Sequence, residues 1–253
     1  MSNYKLNSFI FESGERYCIL VNKSTHKPLF YPNIYLTSKV RNKGRTFSTM
    51  KAVARDLIVL LDFLDINSLD IEDLILSGDF LGNIEIDKLT NYLDKNHSVN
   101  NKNLFVKKNT KSNRIRHSCN YLSWLAEYLI RNNKEGLNGI QKKLNNLLER
   151  RPKTQDCNIY NEPKALSDIE IASLFKCITV KSEKNPFSKS TQKRNELIIT
   201  LLYSLGVRAG ELLNIRISDI NFEEKYIEIR RRHDDKTDSR VHQPLVKTLE
   251  RDL

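Results

Sequence analysis

The sequence predicts a mainly α-helical protein with small β elements, organised as two domains joined by a linker. Apolar residues recur at three- and four-residue spacing in several stretches, which is the pattern of helices with one buried side. Short runs of alternating polar and apolar residues, typical of strands, occur near the N-terminus and around residue 226. With 253 residues, of which 39% are hydrophobic, the chain is long enough for one large or two small cores.

The N-terminal third of the chain predicts strands followed by a helix. Residues 8–36 alternate loosely, as expected for two or three short strands or an extended arm within residues 1–45. From Phe47 the spacing becomes helical, and we expect a helix of about 18 residues with Ser48 as its N-cap. The apolar stripe of this helix consists of Val53, Leu57, Leu60, Leu61 and Leu64.

Three more helical patterns complete a predicted four-helix domain over residues 46–150. The second helix begins near Ile84, and the fourth covers roughly residues 137–149. The third helix is long, and its predicted buried stripe is Ile115, Cys119, Leu122, Leu125 and Leu129. We assign Trp124 and Tyr128 on this helix to core packing rather than to the stacking of bases.

One side of the third helix carries basic and hydrogen-bonding side chains. Lys107, Lys111 and Arg114 form a row at helical spacing that Ser118 and Tyr121 continue. Such a row is the arrangement needed to follow a phosphate backbone, so we expect it to face a polyanion.

A polar linker and a second domain follow. Residues 151–164 contain two prolines and lack periodicity, which is typical of an interdomain linker. Ser167 and Glu170 then form a Ser-x-x-Glu capping box at the start of a helix. A mostly apolar helix over residues 194–205 is expected to end at Gly206 in the left-handed conformation, and another helix to begin directly after it. Residues 226–230 alternate as a strand.

The charge is positive and unevenly distributed. The chain has 42 Lys and Arg against 31 Asp and Glu, a formal net charge of +11, which favours a polyanionic partner such as nucleic acid or an anionic surface. Residues 62–94 carry nine acidic side chains and one basic one, whereas residues 95–153 carry 14 basic and three acidic ones. This segregation predicts one face that meets phosphates and another that does not.

Several classes of function lack support in the sequence. There is no Gly-rich phosphate loop, no His-Glu-x-x-His and no metal-ligand spacing, so we expect no cofactor and no nucleotide or metal hydrolysis. Cys18, Cys119, Cys157 and Cys177 are widely separated, which favours reduced cytosolic thiols. We find no signal core and no apolar run of the roughly 20 residues that span a bilayer, and we therefore expect a cytoplasmic protein.

An arginine follows the predicted helix end at Gly206 and begins the next helix. Arg208 at such a turn could direct its forked guanidinium at two phosphate oxygens. The surrounding run, residues 200–220, resembles the first catalytic box of the tyrosine recombinases, the phage integrase family. The residues that carry the resemblance are Gly206, Arg208, Glu211, Leu212, Ile215, Asp219 and Ile220.

The resemblance implies a fold and a partner. Residues 46–150 would be a four-helix, SAM-like core-binding domain, and residues 165–253 the N-terminal part of the catalytic domain with its β-hairpin. In the family these two domains clamp duplex DNA, and the protein associates with itself on DNA as a dimer or tetramer. The residues expected to grip DNA are Lys107, Lys108, Lys111, Arg114, Arg116, Arg230, Arg231 and Arg232.

The resemblance also implies catalytic roles. Arg208 would hold the scissile phosphate, and Glu211 would support the site. The family uses a hairpin lysine as the general acid for the departing 5′ hydroxyl. Lys247 and Lys236 both fit this position, and we favour Lys247. Strand cleavage would need neither metal nor ATP.

The remaining motifs of the family would lie beyond Leu253. The second box, His-x-x-Arg, and the nucleophilic tyrosine are not within the sequence, and Tyr203 and Tyr226 stand in the wrong places to replace it. We therefore expect the chain as given to bind DNA without cleaving it. The alternatives are a non-catalytic DNA-binding regulator, a recombinase remnant, or an RNA-binding or interaction protein in which the Arg208 box is a coincidence.

Overall fold

The chain folds into two compact units, seen in a computed structural model that describes residues 2–97, 103–152, 165–229 and 245–248. Unit 1 comprises Met1–Asp156, and unit 2 comprises Cys157–Leu253. The structure is about 57% helical with small antiparallel sheets, which confirms the predicted fold class. No helix of the described ranges is long and apolar enough to cross a membrane.

Unit 1 begins with a β-hairpin that is part of its core. Strands β1 (Tyr4–Ile10) and β2 (Arg16–Asn22) pair antiparallel around a turn in which Gly14 has a φ of +86°. Cys18 and Leu20 of β2 are completely buried against the helices. Burial raises the pKa of the Cys18 thiol to about 11. The predicted strands are therefore confirmed, and they pack as a wall of unit 1.

Two short helical segments follow the hairpin, and they correct the prediction of strands or an extended arm for the last part of residues 8–36. Helix α1 (Phe30–Tyr35) continues into a π-helix (Leu36–Arg41). The amide of Asn33 fixes α1 to β2, because its oxygen accepts from the backbone N–H of Leu20 and its nitrogen donates to the carbonyl of Leu20, both at 2.8 Å. Arg41 is buried and donates through Nε to Glu15 of the hairpin turn at 2.7 Å.

Five helices complete unit 1. They are α2 (Phe47–Ile66), α3 (Ile71–Ser77), α4 (Asn83–Asp94), α5 (Lys108–Ile130) and α6 (Lys134–Glu149). The predicted Ser48 cap is wrong: Thr46 has the extended backbone of an N-cap, and its hydroxyl accepts from the N–H of Thr49 at 3.3 Å. Helix α3 was not predicted, because its seven residues are too few to show a clear helical spacing of apolar residues.

Helix α5 is the centre of unit 1. Four members of its predicted stripe, Ile115, Cys119, Leu122 and Leu125, are buried, and the fifth, Leu129, is partly buried. Helix α5 packs against α1, α2, α3, α4 and α6. Burial raises the pKa of the Cys119 thiol to about 12. The core of unit 1 is thus a single cluster built around this helix.

Unit 2 contains three α-helices, a 3₁₀-helix (Ile217–Asp219) and a small sheet among its described residues. The helices are α7 (Asp168–Ile178), α8 (Gln192–Leu205) and α9 (Ala209–Leu212), and the strands are β3 (Ile220–Asn221), β4 (Tyr226–Ile229) and β5 (Leu245–Thr248), in the order β3-β4-β5. The Ser167 and Glu170 capping box is present, and its hydrogen bonds lower the pKa of Glu170. Gly206 ends α8 with a φ of +59°, as predicted. Leu205, Val207, Ile227 and Ile229 form a small core.

We expect Leu122→Ala to lower the free energy of unfolding of unit 1 by about 2–5 kcal/mol, because it leaves a cavity in a fully buried position of α5. Trp124 is the single tryptophan of the chain and lies in unit 1, so its fluorescence in a urea titration reports this unfolding step. The control is Leu104→Ala at a side chain that is 78% exposed, with an expected change below about 0.5 kcal/mol. Equal losses in both variants would contradict a core centred on α5.

Candidate nucleic-acid interface

Most side chains of the basic row predicted on α5 are buried in unit 1 or bonded to other groups of unit 1. Ser118 and Tyr121 are buried, so the prediction that they continue an exposed row is wrong. Tyr121 packs its ring 5.4 Å from that of Tyr35, and burial raises the pKa of its hydroxyl. Helical spacing placed these side chains correctly in one row, but the neighbouring elements cover that part of the helix.

Two cations of the row bind protein groups. Arg114 donates through Nη1 to the carbonyls of Leu93 and Lys95 at 2.9 and 2.8 Å, and its Nε lies 4.0 Å from Asp56 Oδ1. Burial lowers the pKa of this guanidinium, an effect that Asp56 and Asp94 oppose. Lys111 forms an ion pair of 2.6 Å with Asp94. These contacts join α5 to α2 and α4, and a role of both residues in DNA binding stays a prediction.

The other predicted DNA-binding residues of α5 face solvent. Lys107 and Lys108 are exposed at its N-terminal end, and Arg116 is exposed about two turns further along. Arg116 donates through Nη2 to Asn113 Oδ1 at 3.0 Å, and the same nitrogen lies 3.5 Å from His117 Nε2. Nδ1 of His117 in turn lies 2.7 Å from Asp56 Oδ2 on α2.

Arg116 is at one side of a groove on unit 1, which we call the basic groove. The groove has a volume of about 560 Å³ and lies between the π-helix, the start of α2 and α5. Lys39, Lys43, Arg45 and Arg116 bring four exposed cations to its walls, and Glu127 is its one carboxylate. Thr49, Asn120 and Ser123 add hydrogen-bonding groups.

The three cations that precede α2 were not among the residues predicted to bind DNA. Lys39, Arg41, Lys43 and Arg45 stand at every second position, and this run of charge is the signal that could have marked the segment. Arg41 is the exception within the run, because it is buried and paired with Glu15. The predicted assignment of Trp124 to packing fits its burial, whereas the Tyr128 side chain is half exposed.

Unit 2 holds the residues of the Arg208 box. The backbone N–H of Arg208 donates to Glu211 Oε2 at 2.8 Å, and its Nη1 donates to Glu211 Oε1 at 3.1 Å. The Arg208 side chain is 80% exposed, whereas that of Glu211 is 16% exposed. One carboxylate thus caps α9 and holds the arginine, while the guanidinium remains accessible to a phosphate.

Lys247 is the favoured candidate for the hairpin lysine, and it lies on a strand of the small sheet. Lys247 lies on β5 directly opposite Ile227 of β4, so the two side chains share one face of the sheet. Ile227 belongs to the same small core as Val207, which precedes Arg208. The elements that carry Arg208 and Lys247 therefore rest on one core. Lys236, Arg230, Arg231 and Arg232 lie outside the described residues.

The arrangement can bind phosphates but offers no site for a metal ion in the part of the chain that the structure describes. No group of three or more His, Cys, Asp or Glu side chains there is placed to hold one. What the described site presents is a set of exposed guanidinium and ammonium groups, which bind phosphate oxygens directly.

Comparison with known proteins relates unit 2 to one family. Residues 170–251 match the sequence profile of the phage integrase family. Together with the curated relatives below, this match confirms the resemblance of the Arg208 box to the tyrosine recombinases, the phage integrase family.

The chain is also similar to three curated tyrosine recombinases. The chain is 36% identical over 96 residues to Tyrosine recombinase XerA of Pyrococcus furiosus, which covers 38% of this chain and 27% of that protein. It is 40% identical over 58 residues to XerA of Pyrococcus horikoshii, covering 23% and 20%, and 35% identical over 68 residues to XerA of Thermococcus onnurineus, covering 27% and 21%. The chain thus spans about a quarter of the length of these relatives. No solved structure matches the chain.

We expect the two neighbouring arginines of α5 to differ in their effect on stability. Arg114→Gln removes charge-assisted hydrogen bonds to two carbonyls and leaves Asp56 with one cation fewer, so it should lower the free energy of unfolding by about 1–3 kcal/mol. Arg116→Gln removes an exposed charge and should change it by less than about 0.5 kcal/mol. Urea titrations followed by Trp124 fluorescence measure both, and an unchanged Arg114→Gln variant would contradict the structural role.

Proposed function

We propose that the chain is the DNA-binding portion of a site-specific tyrosine recombinase. Unit 1 would be its core-binding domain and unit 2 the N-terminal part of its catalytic domain. The partner is duplex DNA, held mainly through its phosphates. The match of residues 170–251 to the phage integrase family supports the class of protein, and the basic groove supports the mode of binding.

The observation that carries DNA binding is the convergence of four exposed cations on one groove. Lys39, Lys43 and Arg45 lie within one short segment of the sequence, and the fold brings Arg116 of α5 to them. Four cations beside the single carboxylate of Glu127 leave a net positive charge in the groove, which a phosphate backbone neutralises with release of its own counterions. The lining hydroxyl and amide groups of Thr49, Asn120 and Ser123 supply the neutral contacts that fix a backbone in register.

Arg208 and Lys247 support the proposal that the protein acts on a phosphate in unit 2. The exposed guanidinium of Arg208, which forms an ion pair with Glu211, would bind two oxygens of the scissile phosphate and stabilise the charge of the pentacoordinate transition state. Lys247 would donate a proton to the departing 5′ hydroxyl. In the complete enzyme, a tyrosine would attack the phosphate and form a 3′-phosphotyrosyl link that conserves the energy of the broken bond.

Finer features of the function follow from the same proposal. The protein would associate with itself on DNA as a dimer or tetramer, would belong to a mobile element, and would be a cytoplasmic protein found with the nucleoid when bound. The surface cations of the α5 N-terminus, Lys107 and Lys108, would extend the contact with the backbone beyond the basic groove.

We expect the affinity for duplex DNA to fall steeply with salt, and Arg116 to account for about one phosphate contact. Arg116→Glu should weaken binding and reduce the slope of log K against log salt concentration by about 1. Fluorescence anisotropy of a labelled duplex at several salt concentrations measures both quantities. The control is Lys88→Glu, which makes the same charge change at an exposed position within the acidic segment and should leave the slope unchanged. Equal effects of the two variants would show that net charge, not the groove, binds DNA.

We expect Arg208→Ala to abolish formation of a covalent complex with DNA while largely sparing DNA binding, because Arg208 acts on the charge of the transition state. The measurement is made on the product of the complete reading frame, with a nicked substrate that traps the phosphotyrosyl link. Arg194→Ala, at an exposed position of α8, is the control and should form the link normally. If a folded Arg208→Ala variant loses DNA binding as well as cleavage, Arg208 serves to bind DNA and not to stabilise the transition state.

A further inference from the structure

Four aromatic side chains form a continuous row at the surface of unit 1, which we call the aromatic shelf. It consists of Phe30, Tyr31, Tyr128 and Trp124, with successive ring centroids 5.0, 5.7 and 5.4 Å apart. Trp124 and Tyr128 are four residues apart on α5 and therefore lie on the same side of that helix. The shelf joins α1 to α5 and extends from the core to the surface.

The outer part of the shelf is accessible to solvent. Tyr128 is 51% exposed and Phe30 is 64% exposed, whereas Trp124 is almost completely buried. Large rings at such exposure leave apolar area in water that core packing would have removed. Packing of unit 1 therefore explains Trp124 but leaves the exposed rings of Tyr128 and Phe30 without a function.

A second cavity lies on the shelf and continues the basic groove. It has a volume of about 570 Å³ and is lined by Lys39, Trp124, Glu127, Tyr128 and Arg131. Three of these residues, Lys39, Trp124 and Glu127, also line the basic groove. A strand whose phosphates follow the groove would therefore bring its next nucleotide to the shelf.

We propose that this cavity binds an unpaired nucleobase of a DNA strand whose neighbouring phosphates lie in the basic groove. The proposal rests on the DNA binding proposed above and adds a preference for DNA with unpaired bases. Every base has a π face, so stacking on the Tyr128 ring is favourable for all four bases. The volume is within the range of about 300–1,000 Å³ that is usual for small-ligand sites.

The charges around the cavity fit a base flanked by phosphates better than a phosphate alone. Lys39 and Arg131 provide cations for the two neighbouring phosphates, while Glu127 places a carboxylate in the lining. A carboxylate repels a phosphate in its place, but it accepts hydrogen bonds from the exocyclic amino groups of cytosine. Paired bases in a duplex have no free π face for Tyr128, so the site would be empty when fully paired DNA is bound.

The test compares two DNA probes of equal length and charge: a fully paired duplex and the same duplex with a short central bubble. Anisotropy titrations at one salt concentration give both affinities, and Trp124 fluorescence gives an independent signal because the single tryptophan lines the cavity. We expect the bubble to bind at least about fivefold more tightly and to quench Trp124 more strongly than the duplex. Equal affinity and equal quenching would overturn the proposal.

Variants of the shelf separate stacking from charge. Tyr128→Ala should remove most of the preference for the bubble and leave the affinity for the paired duplex unchanged, whereas Tyr128→Phe retains the ring and should retain the preference. Tyr203→Ala, which removes a partly exposed tyrosine of unit 2, is the matched control and should behave as the unaltered chain. If Tyr128→Ala fails to fold, Arg131→Gln at an exposed position takes its place, with an expected reduction of the preference.

The outcomes distinguish this inference from the function on which it rests. If the chain binds neither probe, DNA binding itself is wrong. If it binds both equally, or if Tyr128→Ala and Arg131→Gln keep the full preference for the bubble, DNA binding stands and the base site is wrong. An equal preference for bubble RNA would leave the site intact and extend its substrate to either nucleic acid.

Discussion

Asp56 of α2 holds α5, the helix at the centre of the core of unit 1, through two side chains. His117 Nδ1 lies 2.7 Å from Asp56 Oδ2, and Arg114 Nε lies 4.0 Å from Asp56 Oδ1, while Arg114 also donates to two carbonyls at the end of α4. A largely buried guanidinium without such partners would cost several kcal/mol of free energy. These contacts join α5 to α2 and α4, and Arg116, two residues beyond Arg114, lines the basic groove.

The same fixed helix connects the two binding surfaces that we propose. On α5 the buried stripe contacts the other helices, Arg116 and Asn120 line the basic groove, Tyr128 lines the second cavity, and Trp124 lines both. A rotation of the helix by one residue would exchange charged and apolar positions. Rigid placement of this kind lets a small number of cations act on a backbone at fixed spacing.

Much of the fold follows from local patterns, but the positions of the charged groups do not. Periodicity predicted α2, α4, α5 and α6, and the Ser167 capping box and Gly206 predicted where α7 begins and α8 ends. Spacing also placed Arg114 and Ser118 in one row, yet only tertiary contacts determine that Ser118 is buried and Arg114 partly buried. The cations at Lys39 to Arg45 sit on a π-helix and a loop, which have no periodic signature, so their approach to Arg116 required the structure.

The link between the hairpin and the π-helix gives the N-terminal strands a mechanical role. Arg41 reaches Glu15 in the hairpin turn, and Thr37 reaches Tyr17 on β2, so the segment that carries Lys39 is braced by the strands. Any movement of the hairpin is transmitted to that wall of the groove. A protein, a fused tag or a second DNA segment that pulls on the first 22 residues would therefore displace Lys39 and change the shape of the basic groove without contacting the groove.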